Sequence, residues 1–218
     1  MNWLTIIIQW GFLLVQLITA LLAVQCWNKS KAIAWKFFII TWVLTFFTEA
    51  TGKLMSSYGI HNIWLYNLFD IVFYPAIIFI YGEIFTSNFI KKVLTVIAIG
   101  FVVWAIWNFI LQRNTGINTY YALVGSSIII LLALIYLIKL FLDTEAITPL
   151  RQDYYYWYSI GFLLFFGFNV IMMGMYTKLL SSKVVWLPHF LFYANHLITF
   201  VLHSCLWAGF YAARKWMK

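Results

Sequence analysis

Long apolar runs, broken at near-regular intervals by short polar segments, fill the chain from end to end. The breaks are Asn28-Lys29-Ser30-Lys31, Ser56-Ser57-Tyr58-Gly59, Thr86-Ser87-Asn88, Gln112-Arg113-Asn114-Thr115-Gly116, Asp143 to Gln152 and Thr177 to Val185. Each holds polar or turn-forming residues. Between them lie seven stretches: Trp3 to Trp27, Ala34 to Ser56, Asn62 to Phe85, Phe89 to Leu111, Ile117 to Leu142, Asp153 to Tyr176 and Trp186 to Ala213. A hydrocarbon core about 30 Å thick needs about 20 helical residues per crossing, and every stretch meets that length. Backbone polar groups in lipid must bond within a helix or in a closed barrel. Continuous apolar runs without strict alternation favour helices. The pattern predicts an all-α membrane protein, a seven-transmembrane helix bundle forming one domain over residues 1–218, with short connections and no internal repeat.

Composition agrees, because 9% charged residues could not solubilise a fold that is 65% hydrophobic. The net charge of +8 adds orientation. With the N-terminus outside, the inner side holds Lys29, Lys31, Lys36, Lys91, Lys92, Lys139, Arg151, Arg214, Lys215 and Lys218, and the outer side Lys53, Arg113, Lys178 and Lys183. This asymmetry predicts N-out, C-in by the positive-inside rule. Basic residues spread over separate loop ends also argue against a nucleic-acid partner and leave membrane lipids as the expected surroundings. The first stretch lacks a basic leader and a small-residue cleavage site, and is expected to be a retained helix. Trp3, Trp27, Trp35, Tyr120, Tyr121, Tyr154 to Tyr158, Trp186 and Trp216 fall near span ends, as an aromatic belt would. Cys26 and Cys205 both fall in the inner half and are expected to be free thiols.

Polar groups inside the spans carry the functional expectation, since an ionisable side chain in lipid must face protein or water. Glu49, Asn67, Asp70, Asn169 and His196, with Ser126 and Ser127, fall at matching depths in the outer half of five spans. Helical phase groups them further: Thr41, Thr45, Thr48 and Gly52 form one stripe beside Glu49; Asn67, Asp70, Tyr74 and Tyr81 form a second; His189, Tyr193, His196, Thr199 and His203 form a third. Glu49, Asn67, Asp70, Tyr74, Asn169 and His196 are therefore the candidate ligand-binding residues of an outer-half polar crevice. Two simpler readings stand beside this one. Serines and threonines in membrane helices serve as interhelical hydrogen-bond partners, and Glu49 with Lys53 four residues later has the spacing of a helical ion pair.

The chain holds no strong catalytic, cofactor or metal motif. His189, His196 and His203 are two turns apart, about 10.5 Å of rise, too far for two of them to ligate one zinc at about 2.1 Å. No cofactor and no metal site are expected. A zinc-dependent intramembrane hydrolase, with one histidine joining Asp70 and Glu49, stays as a lesser alternative. A retinal protein would need a lysine within the last span, which has none before Lys215. Pro75, the proline inside the third span, is either a static kink or a hinge near Asp70, and keeps a transporter or an auxiliary subunit of a membrane complex in view.

The stretches Asn62-Ile63-Trp64-Leu65-Tyr66-Asn67-Leu68 and Tyr158-Ser159-Ile160-Gly161-Phe162-Leu163-Leu164-Phe165-Phe166-Gly167-Phe168-Asn169, followed by an Asn-His-bearing last span and a short basic tail, resemble a group of small seven-span bacterial inner-membrane proteins. Some of these are similar to the membrane sensor region of histidine kinases without the kinase. The resemblance brings no activity and no catalytic residue. It implies a multi-pass protein of the bacterial inner (cytoplasmic) membrane, a sensor or receptor-like module for a small or lipidic ligand. Such a module would signal through a partner, another membrane or signalling protein.

Overall fold

A computed structural model describes residues 3–85, 87–111, 119–142, 149–181 and 186–217, with side chains for all of these except 4–7, 9 and 175–189. Seven α-helices account for nearly all of it: α1 (Trp3–Gln25), α2 (Ile33–Ser57), α3 (Ile63–Ile84), α4 (Asn88–Leu111), α5 (Thr119–Leu142), α6 (Tyr154–Ser181) and α7 (Trp186–Trp216). Each is long and apolar enough to cross a bilayer, which makes this a multi-pass membrane protein. Helix α6 runs five residues past the expected end at Tyr176. The added residues, Thr177 to Ser181, contain neither glycine nor proline, and Lys178, Leu179 and Leu180 are good helix formers.

The turns that matter for the interior have local causes. Helix α2 stops in a Schellman arrangement: Gly59 takes φ +70°, its N–H donates to Ser56 O at 3.1 Å, and Ile60 N–H donates back to Met55 O at 2.9 Å. The chain reverses there into α3, and Asn62 Nδ2 donates to Gly52 O at 2.8 Å across the reversal. Helix α6 begins on Asp153, whose Oδ1 accepts from the N–H groups of Tyr155 and Tyr156 at 2.9 and 3.2 Å, the usual N-cap solution for unpaired first-turn donors.

Packing closes six helices into a ring. Helix α1 contacts α2 and α7, α2 contacts α3, α3 contacts α5, α5 contacts α6, and α6 returns to α7. Helix α4 lies outside the ring against α3, with a marginal contact to α5. Its buried residues, Leu94, Ala98, Phe101 and Ala105, make one narrow stripe. The outward surface is apolar along its middle, with Leu14, Leu21, Ile40, Leu44, Val96, Val103, Leu131 and Leu197 exposed. Trp3, Tyr58, Trp107 and Tyr120 are exposed toward one end and Trp27 and Trp216 toward the other, with Phe47 and Phe200 exposed between them. Lipid is the solvent that suits such a surface.

Inside the ring the two halves differ. The half nearer the α1–α2 connection and the C-terminus is filled by Trp35, Phe38, Tyr158, Phe162 and Phe210, all buried and in ring-to-ring contact. Trp42 caps this cluster, stacked on Phe162 with 6.3 Å between centroids. Cys26 and Cys205 are free thiols. The half nearer the α2–α3 reversal is not filled.

Candidate functional site: a polar cavity inside the six-helix ring

That unfilled half is a cavity of about 500 Å³ to which all six ring helices contribute, a size that suits a small molecule. Its walls hold two carboxylates, Glu49 and Asp70, and one imidazole, His203; among the described residues no lysine or arginine lines it. Trp42 forms its floor, and Phe12, Tyr66, Phe69, Phe73, Tyr74 and Phe165 supply most of the remaining wall.

Two glycines explain how the tyrosines reach their places. A Cβ at Gly52 would meet the Tyr66 hydroxyl at 2.6 Å. Without one, Tyr66 lies over α2 and donates its hydroxyl to Glu49 Oε2 at 3.2 Å. At Gly125 a Cβ would run into the Tyr74 ring, so α5 offers that ring a flat seat. Next to it, Asn169 Nδ2 stands 3.0 Å from Ser126 Oγ and 3.5 Å from the Tyr74 hydroxyl, linking α6, α5 and α3. Gly125→Ala is expected to force Tyr74 off this seat and destabilise the protein by about 1–3 kcal/mol. Gly100→Ala, which meets nothing within 4 Å, should be neutral or slightly stabilising. Thermal unfolding in detergent followed by tryptophan fluorescence checks the pair, and equal melting temperatures would refute the seat.

Asp70 differs from its neighbours. Its main-chain carbonyl accepts from the Tyr121 hydroxyl at 3.2 Å, but among the described residues its carboxylate makes no hydrogen bond and no ion pair. Two further cavity-lining residues hold unpartnered atoms: Gln16 Oε1 and Trp42 Nε1 are buried without a hydrogen-bond partner among the described residues, in residues each 2% exposed. One acceptor and one donor thus stand idle in residues of the wall that Asp70 also lines.

Of the residues singled out in the sequence, Glu49, Asn67, Asp70, Tyr74 and Asn169 are brought together around this cavity. His196 is not. It sits in a separate groove between α1 and α7 with Ile8, Gly11, Val15 and Leu197. Its Nδ1 is 2.7 Å from Phe192 O, a carbonyl that can only accept, so the ring hydrogen is on Nδ1. Phe12 stands between His196 and His203, its centroid 5.1 Å from the first and 6.4 Å from the second. The deeper histidine faces the cavity instead, tethered through Nδ1 at 2.7 Å to Thr19 Oγ1, which also accepts from Trp207 Nε1 at 2.7 Å. The Glu49–Lys53 ion pair does not form either. The Lys53 ammonium turns to the neighbouring helix and lies 4.1 Å from the Trp10 ring centroid, without a hydrogen-bond acceptor, a cation–π contact in place of a salt bridge.

Gln16, Trp42 and Tyr66 are not among the polar groups singled out in the sequence, and His203 is placed there only in the stripe of the last span, not among the candidate binding residues. Gln16 and Thr19 were the available signal on α1, two mid-span polar residues three apart and so on one face. Among the described residues no three His, Cys, Asp or Glu side chains come close enough to share a metal ion. Comparison with known proteins adds no constraint: no family model, no curated protein and no solved structure matches this chain.

Proposed function

We propose that this chain is a sensor-like module of the bacterial inner membrane that binds a small or lipidic ligand in the six-helix cavity and passes the event to a partner membrane or signalling protein. The cavity carries the reading. About 500 Å³ of space in the middle of a membrane bundle is bordered by the Asp70 carboxylate, which makes no bond among the described residues, and by Gln16 and Trp42, whose buried amide oxygen and indole N–H lack partners there. Leaving such groups unpaired costs about 1–3 kcal/mol each, and a bound ligand would offset that cost. Glu49, Asn67, Asp70, Tyr74 and Asn169 are the proposed binding residues, joined by Gln16, Trp42 and His203. The packed aromatic cluster under Trp42 favours a binding site over a passage, and hence a sensor over a transporter.

In the proposed orientation, N-out and C-in, the cavity lies on the external side. With Cys26 and Cys205 replaced by alanine, a cysteine in place of Asn114 should react with a membrane-impermeant maleimide in intact cells, and one in place of Ala146 only after permeabilisation. A cysteine in place of Thr199, a buried residue lining the cavity, should react with a small polar thiosulfonate added outside. Inverted labelling of positions 114 and 146 would turn the cavity toward the cytoplasm. A Thr199→Cys thiol inert from both sides would remove the ligand reading.

A further inference from the structure

We propose that the ligand of this cavity is an organic cation, a protonated or quaternary amine, held with Asp70 as its counter-ion. The inference rests on the reading that the cavity binds a ligand, and it names the chemical class.

Charge is the first reason. Glu49 and Asp70 face a cavity whose lining, among the described residues, contains no lysine or arginine. The nearest cation on α2, Lys53, is engaged on the Trp10 face. The Glu49 carboxylate accepts a hydrogen bond from the Tyr66 hydroxyl, whereas the Asp70 carboxylate has no donor among the described residues. An anion would meet two carboxylates with no compensating charge, and a neutral guest would leave Asp70 unpaired. An ammonium group pairs it.

The walls give the second reason. Phe69, Phe73, Tyr74 and Trp42 border the same space as Asp70. Ring faces attract a cation by their quadrupole, more strongly where water is excluded. A bare metal ion would use neither these faces nor this volume, and it would need a convergent oxygen set that the described residues do not form. The third reason is the pair of idle atoms. Gln16 Oε1 accepts and Trp42 Nε1 donates, and both are buried at the cavity wall. Reaching either atom needs a small side-chain shift, after which an N–H or O–H of the guest would suit Gln16 and a polar oxygen would suit Trp42.

The test uses the full chain in nanodiscs of phosphatidylglycerol alone. Melting temperature is read against choline, putrescine and 2-phenylethylammonium, and against the uncharged and anionic partners of the last, 2-phenylethanol and 3-phenylpropanoate, at constant ionic strength. At least one cation should raise the melting temperature saturably, while the alcohol and the carboxylate do not. Asp70→Asn should weaken that cation's binding at least about thirtyfold, the loss typical of removing one partner of a buried charge pair; should that variant not fold, Glu49→Gln replaces it, with a smaller loss expected. Adding phosphatidylethanolamine to the nanodiscs separates the sources. Competition with the soluble amine identifies a lipid headgroup as the occupant, and its absence identifies a free amine. If the neutral or anionic compound stabilises as well as the best cation, the cation assignment is overturned while the ligand reading stands. If no cation shifts the melting temperature, the assignment falls. Reactivity of Thr199→Cys then decides whether the ligand reading falls with it.

Discussion

The Asp70→Asn variant is expected to melt at a higher temperature than the unliganded wild type while losing ligand binding. A side chain that served as interhelical glue would show the opposite, because removing its bonds would lower stability. Here the Asp70 carboxylate has no bond to lose among the described residues, and the Tyr121 contact at 3.2 Å goes to the main chain, which the substitution leaves in place. What the substitution removes is a half-buried charge without a partner among the described residues, which carries only part of the about 1–3 kcal/mol cost of an unsatisfied, fully buried group. A gain of up to about 1 kcal/mol is therefore expected. Asp70→Leu should be at least as stable, since lipid-like surroundings suit it. Such inverse coupling of stability and function marks a site held in readiness for a ligand. Thermal unfolding of the three proteins in the same detergent is the measurement. An Asn variant that melts below wild type would show that Asp70 is structural.

The bundle was legible in the sequence because lipid imposes one requirement on every crossing: a helix about 20 residues long whose backbone satisfies itself. Length and polarity are one-dimensional properties. The order of helices around the ring is not. Helices α4 and α5 are the two most apolar spans, with mean hydropathies of 2.3 and 2.5, yet α5 belongs to the ring and α4 lies outside it. On α5 the small pair Gly125-Ser126 admits the Tyr74 ring, a contact made by packing that hydropathy does not encode. The carboxylates, Asn67 and Asn169 converge because polar groups at one depth in different spans have few places to go except the interior.

The misplaced parts of the site share a cause. His196 and His203 are seven residues apart, nearly two full turns, so helical phase assigns them one face and cannot choose between them. The choice was made by Phe12 on another helix, which walls His196 into a groove and leaves His203 to the cavity. Lys53 likewise obeyed a neighbour, Trp10 of α1, rather than its own helix, where the spacing offered Glu49. Contacts within a helix can be read from spacing. Contacts that compete with them from a second helix require the packing.

That packing has its own expected signature at Phe162. Its ring is 1% exposed and meets Phe38, Trp42, Tyr81 and Phe166 with centroids between 5.8 and 6.4 Å. In a water-soluble core Phe→Ala costs about 3–5 kcal/mol. Part of that is transfer of apolar surface to water, a term largely absent when the alternative environment is lipid. The packing part persists, because neighbours that lose their contacts regain them only if the site collapses. Phe162→Ala is therefore expected to destabilise by about 2–3 kcal/mol. Leu164→Ala, two residues away on the lipid-facing side at 46% exposure, should stay within about 0.5 kcal/mol of wild type. Both are read from reversible unfolding in mixed micelles, where the denatured state keeps its helices and only the packing is lost. The stacked Trp42 ties this core to the cavity floor, so Phe162→Ala should also weaken binding of whichever amine stabilises the wild type. A variant with a lowered melting temperature and unchanged affinity would separate the two halves of the bundle. Equal losses for Phe162→Ala and Leu164→Ala would mean that the aromatic cluster adds nothing beyond apolarity.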